Sequence, residues 1–78
     1  MDENKFKNIY KKVGENIKAL RKMRNLSQKS LALLVEPKMD RSKISDMENG
    51  KEDFTFSTLL RLCAALDVKL EHITKDIG

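Results

Sequence analysis

The sequence predicts an all-α fold, a compact bundle of five short helices. Apolar residues recur at intervals of three and four along most of the 78 residues, which is the period of helices with one buried face. No run of β-branched residues alternates with polar residues, so the sequence contains no strand pattern. Proline occurs once and glycine three times, which leaves most of the chain free to be helical.

The first predicted helix starts at about Asn4 or Tyr10 and runs to Arg24. Its buried face is predicted to carry Phe6, Ile9, Val13, Ile17 and Leu20. Gly14 interrupts this apolar stripe, and a glycine inside a helix costs about 1 kcal/mol relative to alanine. The glycine therefore leaves both starting points open.

The next two helices are bounded by capping and breaking residues. Ser27 is a good N-cap, and the second helix must stop near Glu36, because a residue that precedes proline is pushed out of the α region. Asp40 is the N-cap candidate for the third helix, which is predicted to turn Ile44 and Met47 inward. The Asn49-Gly50 pair is typical of a helix end.

Two apolar segments near the end of the chain predict the fourth and fifth helices. The fourth has Thr55 or Ser57 near its start. Its predicted buried residues are Leu59, Leu60, Cys63 and Leu66, and the apolar residues of the short fifth helix are Leu70, Ile73 and Ile77. The joints are short, so the helices are expected to cross in a bundle rather than form a coiled coil.

Composition excludes several classes of protein. A single cysteine, Cys63, cannot form an internal disulfide, and with a single histidine, His72, it cannot build a zinc site. The sequence contains no catalytic nucleophile with a nearby histidine and acidic residue, and no glycine-rich loop of the kind that binds phosphate. It also contains no apolar run long enough to span a membrane. The polar residues 1–5 lead into no apolar segment, so we expect no signal peptide and a cytoplasmic location. Because the motifs named above are missing, we also expect no cofactor, no metal and no enzymatic activity.

Positive charge is concentrated at the start of the chain. The net charge is +4, and residues 1–26 carry eight Lys and Arg against three Asp and Glu. Residues 27–50 carry four of each, and residues 51–78 carry four basic and five acidic residues. A basic excess suggests a polyanionic partner, although a basic helix face is more often only a solvated surface.

The second and third helices have the requirements of a helix-turn-helix unit. Ala32 is small enough to let the two helices approach, and Ile44 and Met47 anchor the second helix of the pair. The residues left facing away are Arg41, Ser42, Lys43, Ser45 and Asp46. Arginine, serine and lysine side chains can hydrogen-bond base edges or phosphates, so this face is a candidate surface for double-stranded DNA.

Four sequence segments resemble the phage-repressor and Cro (XRE-like) family of helix-turn-helix proteins, over roughly residues 13–73. They are Val13-Gly14-x-x-Ile17-Lys18-x-Leu20-Arg21, Leu26-Ser27-Gln28-x-x-Leu31-Ala32, Ile44-Ser45-x-Met47-Glu48-Asn49-Gly50-Lys51 and Thr58-Leu59-Leu60-x-Leu62-x-x-Ala65-Leu66-Asp67-Val68. Each segment alone is weak evidence for the family, but four segments in the family's order and at its spacing are a specific signal. The resemblance implies a lambda-repressor-like DNA-binding domain over 13–73, with 1–12 as an extension or early helix and 74–78 as a tail.

The resemblance also implies roles for individual residues. Base contacts would come from Arg41, Ser42 and Lys43, with Asp46 one turn further along. The Asp46 carboxylate could accept from a cytosine amino group, or it could only repel phosphate or cap a neighbour. Phosphate contacts would come from Ser27, Gln28, Asn49, Gly50 and Lys51, and Gln28 would also brace the recognition helix. Arg21 and Glu48 stand where the family often has a structural ion pair.

The sequence departs from the family at three places. The turn Glu36-Pro37-Lys38-Met39 is about two residues longer than usual, so it could be mobile or make a contact of its own. Glu52 and Asp53 stand where phosphate-facing relatives often have basic residues, which weakens the contact expected there. Phe54 and Phe56 replace the usual proline and aliphatic residue and are expected in the core or an interface.

A homodimer is expected from the geometry of recognition, because one recognition helix reads only a few base pairs. The candidate interface residues are Phe56, Leu66, Val68, Leu70, Ile73 and Ile77. The competing interpretation is that Leu66, Val68 and Ile73 only close the core.

The sequence therefore predicts a sequence-specific transcriptional regulator, a dimeric repressor of a short palindromic operator. One alternative is an antitoxin-type interaction protein with a toxin as partner, for which residues 1–9 are the only candidate tail. Controller proteins of restriction–modification systems have the same size, and a partner-docking module that does not bind DNA is a further alternative.

Overall fold

The computed structural model describes residues 3–51 and 55–77, with side chains from residue 6 onward. Within these residues the chain is helical and contains no strand, which confirms the predicted all-α class. The helices are α1 (Glu3–Met23), α2 (Gln28–Leu34), α3 (Arg41–Glu48), α4 (Phe56–Leu66) and α5 (Leu70–Ile73). The helix α1 takes the earlier of the two predicted starts and is continuous through Gly14.

A single apolar core holds the helices together. The helix α1 packs on α3 and α5, α2 packs on α3 and α4, and α4 packs on α5. The fully buried large side chains are Ile17, Leu31, Val35, Ile44, Met47, Leu62, Leu66 and Ile73. Ala32 is 3% exposed, so the small residue predicted at the α2–α3 contact is buried there.

The predicted N-caps behave differently. Ser27 Oγ accepts a hydrogen bond from the Ser30 amide at 3.0 Å, which satisfies one of the unpaired amides at the start of α2. Thr55 Oγ1 accepts from the Thr58 amide at 3.2 Å, so Thr55 rather than Ser57 caps α4. Asp40 occupies the N-cap position of α3 but makes no capping hydrogen bond with its side chain.

One prediction for α4 is wrong, and one of the two places expected for Phe56 is excluded. Leu60, expected in the core, is 46% exposed, and Leu62 is fully buried in its place. Phe56 is 62% exposed, so it is not a core residue of the protomer. Leu59 is half-buried against the core. The predictions made for Glu52, Asp53 and Phe54 lie outside the described residues.

Two of the proposed interface residues belong to the protomer's own core. Leu66 and Ile73 have no exposed surface, so they cannot form part of a surface that meets a second chain. The competing interpretation, that they close the core, is the one that the structure supports. Val68, Leu70 and Ile77 are half-buried at its edge.

Gly14 lies where α1 crosses the end of α3. A Cβ atom at this position would be 2.1 Å from the Met47 carbonyl oxygen and 2.9 Å from the Glu48 carbonyl oxygen. The residue that appeared from sequence only to weaken α1 therefore permits a close backbone approach, which brings α3 against α1. None of the described helices combines the length and the apolar character that a membrane crossing requires.

Candidate nucleic-acid interface

The first turn of α3 lies on the surface. Arg41 and Ser42 are exposed, whereas Lys43 and Asp46 are half-buried. On the opposite side of the same helix, Ile44 and Met47 are fully buried. Burial of these two anchors fixes the rotation of α3 about its axis, so its polar face is directed away from the core.

A buried ion pair holds the other end of α3. Arg21 Nε donates to Glu48 Oε2 at 2.6 Å, and Arg21 Nη2 donates to Glu48 Oε1 at 3.0 Å. Both residues are less than 10% exposed. The hydrogen bond that Arg21 donates to Glu48 is the main reason that the pKa of Arg21 is raised. Arg21 Nη1 also donates to the Leu26 carbonyl at 2.8 Å, which ties the pair to the loop before α2.

Gln28 connects this pair to the exposed turn of α3. Its Nε2 donates to Glu48 Oε1 at 3.1 Å, and its Oε1 accepts from Arg41 Nη1 at 3.0 Å. A carboxylate can only accept hydrogen bonds, so the amide NH₂ of Gln28 must face Glu48. The amide oxygen is then directed at Arg41, and the four side chains form one chain of hydrogen bonds from the core to the surface.

The other predicted phosphate contacts lie at helix ends. Ser27 is exposed at the start of α2, and Asn49 and Lys51 are exposed beyond α3. Gly50 has a φ of +68°, and a Cβ there would be 2.8 Å from the Lys11 Cα, so glycine is needed both for the turn and for the approach to α1. The Lys51 amide donates to the Asp46 carbonyl at 2.9 Å, which closes the end of the helix.

The long turn between α2 and α3 is attached to α4, and no motif predicted this contact. Arg61 Nε donates to the Glu36 carbonyl at 3.1 Å, and Arg61 Nη2 donates to the Pro37 carbonyl. The Met39 amide donates to the Ala32 carbonyl at 3.2 Å. From the extra length of the turn we expect either a mobile segment or a contact of its own, and no motif in the sequence identifies Arg61 as the residue that contacts it.

Cys63 and His72 lie outside the chain of hydrogen bonds that runs from Arg21 to Arg41. Cys63 is buried, and desolvation raises the pKa of its thiol, which keeps the thiol protonated near neutral pH. His72 is exposed and its Nδ1 accepts from the Lys69 amide at 3.1 Å. In the described part of the chain, no three His, Cys, Asp or Glu residues are placed to hold a metal ion.

Comparison with known proteins agrees with this geometry. The family model described as helix-turn-helix matches residues 17–73. The control protein C.MunI of a Mycoplasma species is 35% identical over 65 residues, which cover 82% of this chain and 85% of that protein.

Two solved structures are similar in fold. The restriction-modification controller protein C.AhdI from Aeromonas hydrophila is 31% identical with a TM-score of 0.77, over 82% of this chain and 94% of that one. An HTH_3 family transcriptional regulator from Vibrio cholerae is 23% identical with a TM-score of 0.79, and the match covers 88% of this chain but 38% of that longer chain. The chain thus belongs to the helix-turn-helix family, and the similar proteins are named as controller proteins and as a transcriptional regulator.

Proposed function

We propose that this chain is a cytoplasmic, homodimeric controller that binds a short palindromic operator and represses transcription within a restriction–modification system. The observation that carries the proposal is the outward first turn of α3, held from the core through Arg21, Glu48 and Gln28. The assignment to restriction–modification rests on two relatives that are named as controllers, at 35% and 31% identity.

Base recognition is assigned to α3. Arg41 is exposed and its guanidinium can make a bidentate contact with guanine in the major groove. Ser42 and Lys43 follow it on the first turn, and Asp46 lies one turn further along. Asp46 would accept a hydrogen bond from a cytosine amino group, which is the base contact open to a carboxylate.

Phosphate contacts are assigned to the helix ends beside this turn. One hydrogen of the Gln28 amide faces Glu48, and the second is available to a phosphate oxygen. The other phosphate contacts in the proposal are Ser27, Asn49, Gly50 and Lys51. Contacts of this kind supply most of the binding free energy, and they weaken as salt concentration rises.

Dimerisation follows from the size of the reading surface. Two recognition helices separated by about 34–36 Å read two half-sites, which one protomer cannot do. The remaining interface candidates are Phe56, Val68, Leu70 and Ile77, of which Phe56 is the most exposed. An exposed phenylalanine on a protein of this size supplies apolar area that a second copy would remove from water.

The two alternatives from the sequence differ in their support. The relatives found are named as controllers and as a transcriptional regulator, so they give no support to a toxin as partner. A helix-turn-helix module that docks on a protein instead of DNA is an alternative outcome of the experiment that follows.

The direct test is selection of bound sequences from random duplex DNA by the full chain, at two salt concentrations. We expect enrichment of one site with two-fold symmetry, with half-sites about one helical turn apart, and a steep loss of affinity at the higher salt. The enriched site should also occur beside the chain's own gene and a neighbouring endonuclease gene. If no sequence is enriched at either salt concentration, the proposal is wrong and the protein-docking alternative takes its place.

A further inference from the structure

The turn between α2 and α3 determines where α3 begins and therefore where its first residue, Arg41, lies. A residue outside the helix-turn-helix unit holds this turn. We propose that Arg61 of α4 is a positioning residue that fixes this turn and thereby the specificity of the first turn of α3. The inference rests on the proposed function, because it concerns how the same surface reads DNA.

The contact is suited to a guanidinium. The Nε and Nη2 groups of Arg61 donate to the carbonyl oxygens of Glu36 and Pro37, which are consecutive in the chain. The planar fork of arginine holds two acceptors in a fixed relative geometry, whereas the single ammonium group of lysine does not. Arg61 is half-buried and lies beside Leu34 and Ala65.

Among the described residues, the turn has few other polar contacts. Its backbone is joined to α2 by one bond, from the Met39 amide to the Ala32 carbonyl. Pro37 has no amide hydrogen to donate, and Asp40 makes no side-chain cap at the start of α3. Residues 39 and 40 have supports of their own, because Met39 packs against the core and the Asp40 carbonyl accepts from the Lys43 and Ile44 amides. The two bonds from Arg61 are the contacts that hold Glu36 and Pro37.

The position of this turn affects recognition because Arg41 follows it directly. A base-reading side chain must be held to within about 0.5 Å to keep a productive hydrogen-bond geometry. The core fixes α3 from Ile44 onward, so a loose turn would let only the first turn of the helix, which carries Arg41, shift while the fold stays intact. Arg61 is thus expected to act on specificity more than on stability.

The variant Arg61→Lys tests the proposal, because it keeps the charge and removes the fork. Arg24→Lys is the matched control, since Arg24 Nε donates to the Leu66 carbonyl at 3.2 Å, outside the α2–α3 turn. Two readouts are needed: amide hydrogen exchange of Met39 in the free protein, and affinity for the selected site and for random duplex DNA. Circular dichroism melting establishes that both variants fold.

We expect Arg61→Lys to speed Met39 exchange about tenfold, which corresponds to loss of one charge-assisted hydrogen bond. We expect its affinity for the selected site to fall by about the same factor, with affinity for random DNA unchanged. Arg24→Lys should leave both quantities at the wild-type level.

Three outcomes would overturn the inference. Unchanged Met39 exchange in Arg61→Lys would show that Arg61 does not hold the turn. Faster exchange with an unchanged ratio of specific to random affinity would show that the turn does not position Arg41. Equal effects in the Arg24→Lys control would show a general loss of stability. If instead the wild type enriches no site, the proposed function fails first, and the exchange measurement alone decides whether Arg61 fixes the turn.

Discussion

The two ends of α3 are held in contrasting ways. The C-terminal end is buried against α1, where Gly14 permits backbone contact and Arg21 pairs with Glu48. The N-terminal end is exposed and is held by side chains from other elements, Gln28 from α2 and Arg61 from α4 through the turn. The contrast teaches that stability and recognition are separated along one short helix, so changes at one end should affect folding and changes at the other should affect DNA binding.

The largest effect on stability is expected from Glu48→Ala, at the buried end. Removal of the carboxylate leaves the Arg21 guanidinium buried without a partner, which should lower the free energy of unfolding by about 3–5 kcal/mol. Urea denaturation measures the change. Glu15→Ala is the control, because Glu15 forms an exposed pair with Lys12 at 4.0 Å, and such pairs contribute about 0.2–1 kcal/mol. Similar losses in the two variants would contradict a special role for the buried pair.

A smaller loss is expected from Gly14→Ala at the same junction. Alanine favours a helix by about 1 kcal/mol over glycine, so propensity alone predicts a gain in stability. The new Cβ would lie 2.1 Å from the Met47 carbonyl oxygen, and backbone cannot move aside as a side chain can. We therefore expect a net loss of about 1–3 kcal/mol, typical of overpacking.

Chemical denaturation of Gly14→Ala distinguishes the two effects by the sign of the change. Ala19→Gly, at an exposed position of α1, is its control and should lose about 1 kcal/mol through propensity alone. A Gly14→Ala variant that is more stable than the wild type would refute the close approach of α1 and α3.

The smallest effects are expected at the two N-caps. Ser27 makes a capping hydrogen bond at 3.0 Å, so Ser27→Ala should cost about 1 kcal/mol. Asp40 makes none, so Asp40→Ala should cost only a few tenths, roughly the interaction of its charge with the helix dipole. Thermal melting of the two variants side by side gives the difference, and an equal loss would mean that Asp40 does cap α3.

Local chemistry made the positions of the helices predictable. Helix ends are marked by interactions within a few residues. The markers are serine and threonine at N-caps, the residue that precedes proline, and the Asn49-Gly50 pair. The apolar period also placed Ile44 and Met47 in the core, and both are fully buried. The outward face of α3 then follows from the geometry of a helix.

What escaped prediction depends on contacts between distant residues. Leu62 is buried where Leu60 was predicted to be, because neighbouring helices set the rotation of α4 about its axis. Leu66 and Ile73 are apolar whether they face their own core or a second chain, so residue type could not assign them to either. The roles of Gly14 and Arg61 come from backbone brought close by the fold, and no spacing in the sequence reports it.

The most direct test of the account is Arg41→Ala, with affinity measured on the selected site and on random duplex DNA. Lys22→Ala, at an exposed position near the end of α1, controls for removal of one positive charge. We predict that Arg41→Ala lowers affinity for the selected site by about 1–3 kcal/mol and affinity for random DNA far less, with unfolding unchanged. Equal losses on both DNAs would make Arg41 a phosphate contact and contradict its assignment as a base reader.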